Sequence, residues 1–181
     1  MADRKAYFKK AIALEDLLKY QSDSESSFRL FFSDSNPHYS ALFLGESTKI
    51  IRDKLEERLL ETDIRSTIMV LAKVEAAFRR DYLIRGQGRR PRRELISNDF
   101  RSMYGRVGDR ARLKDDIFTV WKNHFPEFSS LLESLKGAFN FRHWVAHGRY
   151  WPHNSGNKYD FQTVYLLAQT TFTKVPLLDI V

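Results

Sequence analysis

The chain has 181 residues, of which 43% are hydrophobic and 29% charged, a composition typical of a globular protein with a buried core. It contains no cysteine, so disulfides and thiolate metal sites are excluded. No segment approaches the roughly 18 apolar residues that a transmembrane helix needs, and the charged N-terminus lacks the apolar core of a signal peptide. These features predict a cytoplasmic protein without membrane contact.

Positive charge is concentrated in one part of the chain. The formal net charge is +7, and the segment 79–112 alone holds eleven arginines against four acidic residues, hence a local +7. The planar guanidinium fork donates two parallel hydrogen bonds to a phosphate, so the segment suits a polyanionic partner. The alternative is a solvated face with a disordered basic loop at 86–93.

The first 40 residues differ in pattern from the rest and are predicted to form an appendage, 1–40, before the main domain, 41–181. Residues 4–20 have the spacing of an amphipathic helix. Residues 22–40 are polar, rich in serine and contain Asn36-Pro37, which predicts a loop around a short apolar knot at 28–32.

The main domain is predicted to be all-α, a bundle of four to six helices. Asp63 is a candidate N-cap that separates a first helix from a second, and Gly86 ends the second. Pro126 is suited to the first turn of a long helix. For the last segment, rich in Thr, Val and Phe, helix and strand both remain open, although the apolar spacing favours a helix. The predicted segments are 46–61, 63–85, 92–104, 112–123, 127–147 and 160–174.

Two charged residues interrupt apolar stripes on different helices. Arg142 lies three residues after Phe139 and four before Ala146 on one stripe, and Glu75 fills a gap in the stripe of the 63–85 helix. An unpaired charge that points into a core is costly, so each side chain needs a partner of opposite sign. We therefore predict that Glu75 faces Arg142. The alternative role for such a pair is to set helix register only.

A polar stripe of Asn140, His143 and His147 runs beside Arg142. Cleavage of RNA without a metal needs a base for the 2′-OH, a cation at the phosphorane-like transition state and an acid for the leaving 5′-oxygen. Histidine exchanges protons near neutral pH, so this helix end offers most of these groups. The spacing of the two histidines also permits a shared metal ion, but no HExxH arrangement or nearby acidic ligand accompanies it. Either histidine can instead be a core residue.

The segment 141–151, FRHWVAHGRYW, resembles the motif of HEPN domains, small helical domains with an arginine, an adjacent polar residue, four to six further positions and then a histidine. The likeness covers roughly residues 46–175. It implies a HEPN-like bundle and a metal-independent endoribonuclease that needs no cofactor and works as a homodimer, often in toxin–antitoxin or phage-defence systems with a partner protein. Non-catalytic members that bind a nucleotide, RNA or another protein are the alternative.

Carried onto this chain, the resemblance implies that Arg142 and His147 are catalytic, with His143 assisting. The predicted pairing on the apolar stripes adds Glu75, which is expected to orient the arginine. RNA contacts are then expected from Asn140, from Trp144 and Tyr150 by stacking, and from four arginines of the basic segment. Trp144 and Tyr150 can equally serve helix-end packing. Two positions depart from the family pattern: His143 replaces the usual asparagine, and Tyr150 stands three rather than two residues after the histidine. The four arginines are Arg79, Arg80, Arg89 and Arg90.

Overall fold

The computed structural model describes residues 12–88, 94–148 and 156–178. The chain divides into two compact units, 1–69 and 70–181. The described residues form α-helices and short 3₁₀ or π turns but no strand, which confirms the all-α prediction. Six of the seven α-helices in these ranges are longer than one turn. The helices are α1 (Leu14–Phe31), α2 (Tyr39–Leu42), α3 (Thr48–Gln87), α4 (Leu95–Val107), α5 (Phe118–His124), α6 (Ser129–Ala146) and α7 (Phe161–Lys174).

Helix α1 continues ten residues past the point where a loop was predicted. The segment 22–31 is helical, so the loop prediction was wrong there. Serine and aspartate lower helix propensity only weakly, and the chain has no proline or glycine before Pro37 to stop the helix. A local pair also supports the helix, because Gln21 donates a hydrogen bond of 2.8 Å to Glu25 one turn later.

An aromatic cluster follows α1 in the first unit. The rings of Phe32 and Phe43 stack with centroids 5.2 Å apart, and Phe31 meets Phe43 edge to face at 5.9 Å. Tyr39 lies against the same ring at 5.1 Å. Part of the predicted apolar knot at 28–32 thus packs with residues from the following turn and helix.

Helix α3 is a single helix of 40 residues rather than two. Asp63 lies inside it and does not cap a new helix, because no glycine or proline interrupts the chain between Thr48 and Arg85. Gly86, predicted to end the helix, lies within its last turn. A Cβ atom at Gly86 would lie 2.9 Å from the Cβ of Tyr104, so the glycine permits the close approach of α4.

Large aromatic side chains form the core of the second unit. Phe78, Phe118 and Trp121 are almost completely buried, and the Phe78 and Phe118 rings meet edge to face at 4.9 Å. Tyr82 packs similarly on Phe100 at 5.5 Å. These contacts place one face of α3 against α4 and α5 and thereby fix the part of α3 that bears Glu75.

The C-terminal helices agree closely with their predicted positions. Helix α6 begins after a 3₁₀ turn at Pro126–Phe128 and ends at Ala146. In α7, Asp160 acts as N-cap by accepting a 2.8 Å hydrogen bond from the backbone of Thr163, so the segment left open between helix and strand is a helix. The predicted stripe of α6 extends one turn too far, because Ala146 is exposed. No helix in the described ranges is both long and apolar enough to cross a membrane.

Candidate functional site

Glu75 links two arginines from different directions. Its Oε2 atom accepts a hydrogen bond from Nη1 of Arg142 on α6, which confirms the predicted contact between these residues. Its Oε1 atom accepts a 2.7 Å hydrogen bond from Nε of Arg79, one helical turn later on α3. Arg79 in turn donates to the backbone oxygen of Ala111 at 3.1 Å. One carboxylate therefore holds two guanidinium groups in fixed positions.

The pair is at the border of the core and not fully inside it. The Glu75 side chain is 22% exposed and that of Arg142 35% exposed. Burial alone would raise the pKa of Glu75, but the hydrogen bonds and charges of Arg79 and Arg142 outweigh burial and hold it below the ordinary value of 4.5. Glu75 is therefore ionised at neutral pH and compensates the arginines.

Replacing Glu75 with glutamine is expected to lower the free energy of unfolding by about 1–2 kcal/mol at neutral pH, because two charge-assisted hydrogen bonds lose their carboxylate. A carboxyl group with a lowered pKa stabilises the fold above its unfolded pKa, and this contribution disappears as the pH falls through the folded pKa. The difference between wild type and Glu75→Gln should thus vanish in acid. Urea unfolding followed by tryptophan fluorescence measures it, since all three tryptophans lie in the second unit.

Glu133→Gln is a matched control for this prediction. Glu133 forms a surface pair with Lys122, and its side chain is 56% exposed. Its removal should have a smaller effect on unfolding than Glu75→Gln. Equal destabilisation by Glu75→Gln at acid and neutral pH would show that shape, and not charge, matters at this position.

A pocket of about 410 Å³ opens beside the Glu75–Arg142 pair. Its walls come from α3, from α6 and from the segment that joins α4 to α5. Four cationic side chains face two carboxylates there, so the lining carries a net positive charge, to which His143 adds a titratable group. The lining residues are Glu75, Arg79, Arg112, Leu113, Lys114, Asp115, Phe139, Arg142, His143 and Ala146. A cavity of this size and sign suits a small anionic group such as a phosphate.

Two of these cations, Arg112 and Lys114, are not predicted individually as site residues, although Arg112 is the last arginine of the basic segment 79–112. Lys114 lies on a π-helical turn, Leu113–Ile117, and donates a 2.8 Å hydrogen bond to the side-chain oxygen of Asn140. Arg112 directly precedes the turn and forms ion pairs with Asp115 and Asp116. They belong to the site because the connection between α4 and α5 passes beside α6.

The two histidines of the motif lie together at the end of α6. Their ring centroids are 4.2 Å apart, and both residues are exposed. His143 lines the pocket, whereas His147 follows the last residue of the helix and its backbone N–H donates to the oxygen of His143. Two adjacent imidazoles beside a cationic pocket can accept a proton from one oxygen and deliver a proton to another.

The other predicted RNA contacts are distributed differently. Arg79 lines the pocket, and Asn140 contacts it indirectly through Lys114. Arg80 is exposed and does not line the pocket. Trp144 packs on Phe141 at 5.7 Å, the contact expected of the helix-end packing alternative. Three of the predicted residues, Arg89, Arg90 and Tyr150, lie outside the described residues.

One arginine of the basic segment belongs to the core. Arg85 is 3% exposed, and its Nε atom donates to Asp81 at 2.8 Å. It also pairs with Glu94 and donates to the backbone oxygen of Pro176 at 3.0 Å. The charge counted for segment 79–112 therefore overstates what is available to a ligand. The burial of Arg85 is indicated by the sequence, because position 85 continues the apolar stripe of the helix three residues after Tyr82.

No group of three or more His, Asp or Glu side chains in ranges 12–88, 94–148 and 156–178 is arranged to hold a metal ion. No family model matches the chain, and no curated protein or solved structure is significantly similar to it. Membership of the HEPN family thus stays a prediction that rests on the motif around Arg142.

Proposed function

We propose that the protein is a metal-independent endoribonuclease of the HEPN type that acts as a homodimer in a toxin or phage-defence role. The observation that carries the proposal is the arrangement around Arg142. Glu75 fixes its guanidinium at a cationic pocket, His143 is the next residue on the same helix, and the ring of His147, just after the helix end, lies 4.2 Å from that of His143. These groups match the needs of RNA cleavage.

The reaction uses the 2′-hydroxyl of the substrate as nucleophile. One imidazole takes the 2′-OH proton while the 2′-oxygen attacks the adjacent phosphorus. Arg142 donates hydrogen bonds to the phosphoryl oxygens as negative charge develops on them. The bond from phosphorus to the 5′-oxygen then breaks, and this oxygen receives a proton. The products are a 2′,3′-cyclic phosphate and a 5′-hydroxyl, with no redox change and no added reactant.

His147 is assigned the main acid–base role and His143 the assisting role. Glu75 is a positioning residue, since it contacts Arg142 and not the substrate in this scheme. The exposure of both histidines leaves them accessible to a second copy of the chain. A two-fold arrangement doubles the number of acid, base and cationic groups at the shared site.

The test is incubation of the purified protein with RNA in the presence of EDTA. Wild type is expected to cleave RNA, to leave the matching 2′-deoxy oligonucleotide intact, and to give products whose masses show cyclic phosphate ends. His147→Ala is expected to lower the cleavage rate by about 10²–10⁴-fold, the usual contribution of general acid–base catalysis. Sedimentation of the same preparation reports whether the active species is a dimer.

His38→Ala is the matched control, because His38 is exposed in the first unit and far along the chain from the motif. It should cleave like wild type. If wild type and His147→Ala are equally inert on RNA, the enzyme proposal fails. The alternative, a non-catalytic helical module that binds RNA, a nucleotide or a partner protein, would then be the better description.

A further inference from the structure

Lys114 differs from the other cations of the pocket in its partner. Arg79 and Arg142 share the carboxylate of Glu75, and Arg112 pairs with two aspartates. Within the described part of the chain, Lys114 instead bonds the neutral amide of Asn140 and has no ion pair. Its side chain is only partly buried and its bond with Asn140 is exposed, so no carboxylate compensates the ammonium charge and an incoming anion can reach it.

The backbone around Lys114 is held firmly. The π turn is fixed on both sides by core residues, since Leu113 is 6% exposed and Ile117 fully buried. At its start, the backbone N–H of Arg112 donates a 2.7 Å hydrogen bond to Asp116. Because the backbone of this turn is already ordered, little conformational entropy is lost when an anion binds to Lys114.

Asn140 sets the position of Lys114 relative to the motif. It lies on α6 two residues before Arg142 and one helical turn before His143. Its bond with Lys114 therefore keeps the ammonium group along the same side of α6 as His143, which also lines the pocket. An RNA strand whose reacting phosphate meets Arg142 and the histidines would carry its next phosphate past this part of the helix.

We infer that Lys114, oriented by Asn140, binds a second, non-reacting phosphate of the RNA backbone. The identity of the ligand as RNA rests on the proposed function, whereas the anion site itself rests on the pocket. The site then selects an oligonucleotide with at least two phosphates over a mononucleotide. Because the contact is made equally in the ground state and the transition state, its loss raises KM and leaves kcat unchanged.

The test measures binding rather than cleavage. A fluorescent, short 2′-O-methyl RNA lacks the nucleophile and is titrated with the full chain in EDTA at several salt concentrations. For single strands, each phosphate contact contributes about 0.7 to the slope of log Kd against log salt. Lys114→Ala is expected to reduce this slope by about 0.7 and to weaken binding severalfold at low salt, whereas Lys114→Arg retains most of both.

Lys174→Ala is the charge-matched control, because Lys174 is exposed at the end of α7 and does not line the pocket. It removes the same charge and should keep the wild-type slope. A Lys114→Ala protein with the slope and affinity of Lys174→Ala overturns the inference, as does a wild type that does not bind the oligonucleotide.

The titration and the cleavage assay on unmodified RNA together separate the phosphate site from the nuclease proposal. If Lys114→Ala loses slope while wild type cleaves no RNA, the phosphate site is supported and the nuclease proposal fails. If wild type cleaves RNA and Lys114→Ala matches wild type in slope, affinity and KM, the nuclease proposal is supported and the phosphate site is overturned.

Discussion

Arg142→Ala is expected to lower the rate of RNA cleavage by about 10²–10³-fold at saturating substrate. The loss appears in kcat because the guanidinium is assigned to charge that develops only in the transition state, and removal of one such donor group has this typical effect. The free energy of unfolding should change only slightly, because the carboxylate of Glu75 keeps its 2.7 Å hydrogen bond with Arg79 when Arg142 is absent. Single-turnover rates and urea unfolding of the same preparation separate the two effects.

Arg142→Lys refines this prediction. Lysine keeps the positive charge beside Glu75 but lacks the planar fork that binds two phosphoryl oxygens. Its rate should lie between those of wild type and Arg142→Ala, and its stability close to that of wild type. An Arg142→Ala protein that is folded and cleaves at the wild-type rate would exclude the arginine from the proposed mechanism. The assignment of His147 would stand on its own experiment.

The second large effect is expected from Arg85→Ala, which should lower the free energy of unfolding by about 3–5 kcal/mol at neutral pH. Arg85 bridges α3, Glu94 and the segment after α7, and its guanidinium carbon lies 5.4 Å from the ring centroid of Trp121. Its removal leaves the carboxylate of Asp81, which is completely buried, without its cation. Urea unfolding followed by tryptophan fluorescence measures the loss.

The pH dependence of this loss identifies its cause. Burial raises the pKa of Asp81, while the backbone N–H of Leu178 and the charge and hydrogen bond of Arg85 act in the opposite direction. Without Arg85 the folded-state pKa of Asp81 rises further, so the loss of stability grows as the pH rises from the wild-type folded-state pKa towards neutrality and shrinks in acid.

Two variants complete the Arg85 experiment. Arg80→Ala, on the exposed side of the same helix, should change the free energy of unfolding by less than about 0.5 kcal/mol. Asp81→Leu combined with Arg85→Met should recover part of the stability lost by Arg85→Ala, because it removes both buried charges. A pH-independent loss in Arg85→Ala would assign the effect to packing on Trp121.

Local chemistry was sufficient to predict much of the C-terminal half of the fold. Pro126 predicts the start of the long helix, because proline lacks the N–H group that a first helical turn leaves without a partner, and it opens the 3₁₀ turn that leads into α6. The predictions that failed, a loop after residue 22 and a break at Asp63, relied on weak signals. Serine and aspartate are tolerated inside a helix, and a helix continues through such residues where the sequence has no glycine or proline to end it.

The link between Glu75 and Arg142 is the part of the site that the sequence by itself determined. A charge on an apolar stripe must find an opposite charge, and Glu75 and Arg142 were the two such residues identified on predicted stripes. The i, i+4 spacing of Glu75 and Arg79 on one helix is also the spacing at which opposite charges pair, so the second contact of Glu75 follows from the sequence as well. In each case the charged residue occupies a position defined by the helical period, so it can be predicted from the sequence of a single helix.

Only the tertiary structure decided which cations surround that pair. Lys114 and Arg112 lie in the connection between α4 and α5, and the packing of both helices on α3, with α5 also on α6, brings that connection to the pocket. The same packing places Arg85, which is counted in the charge of the basic segment, in the core. Helical period determines which face of a helix a residue occupies, but what lies opposite that face depends on contacts between residues far apart in the chain.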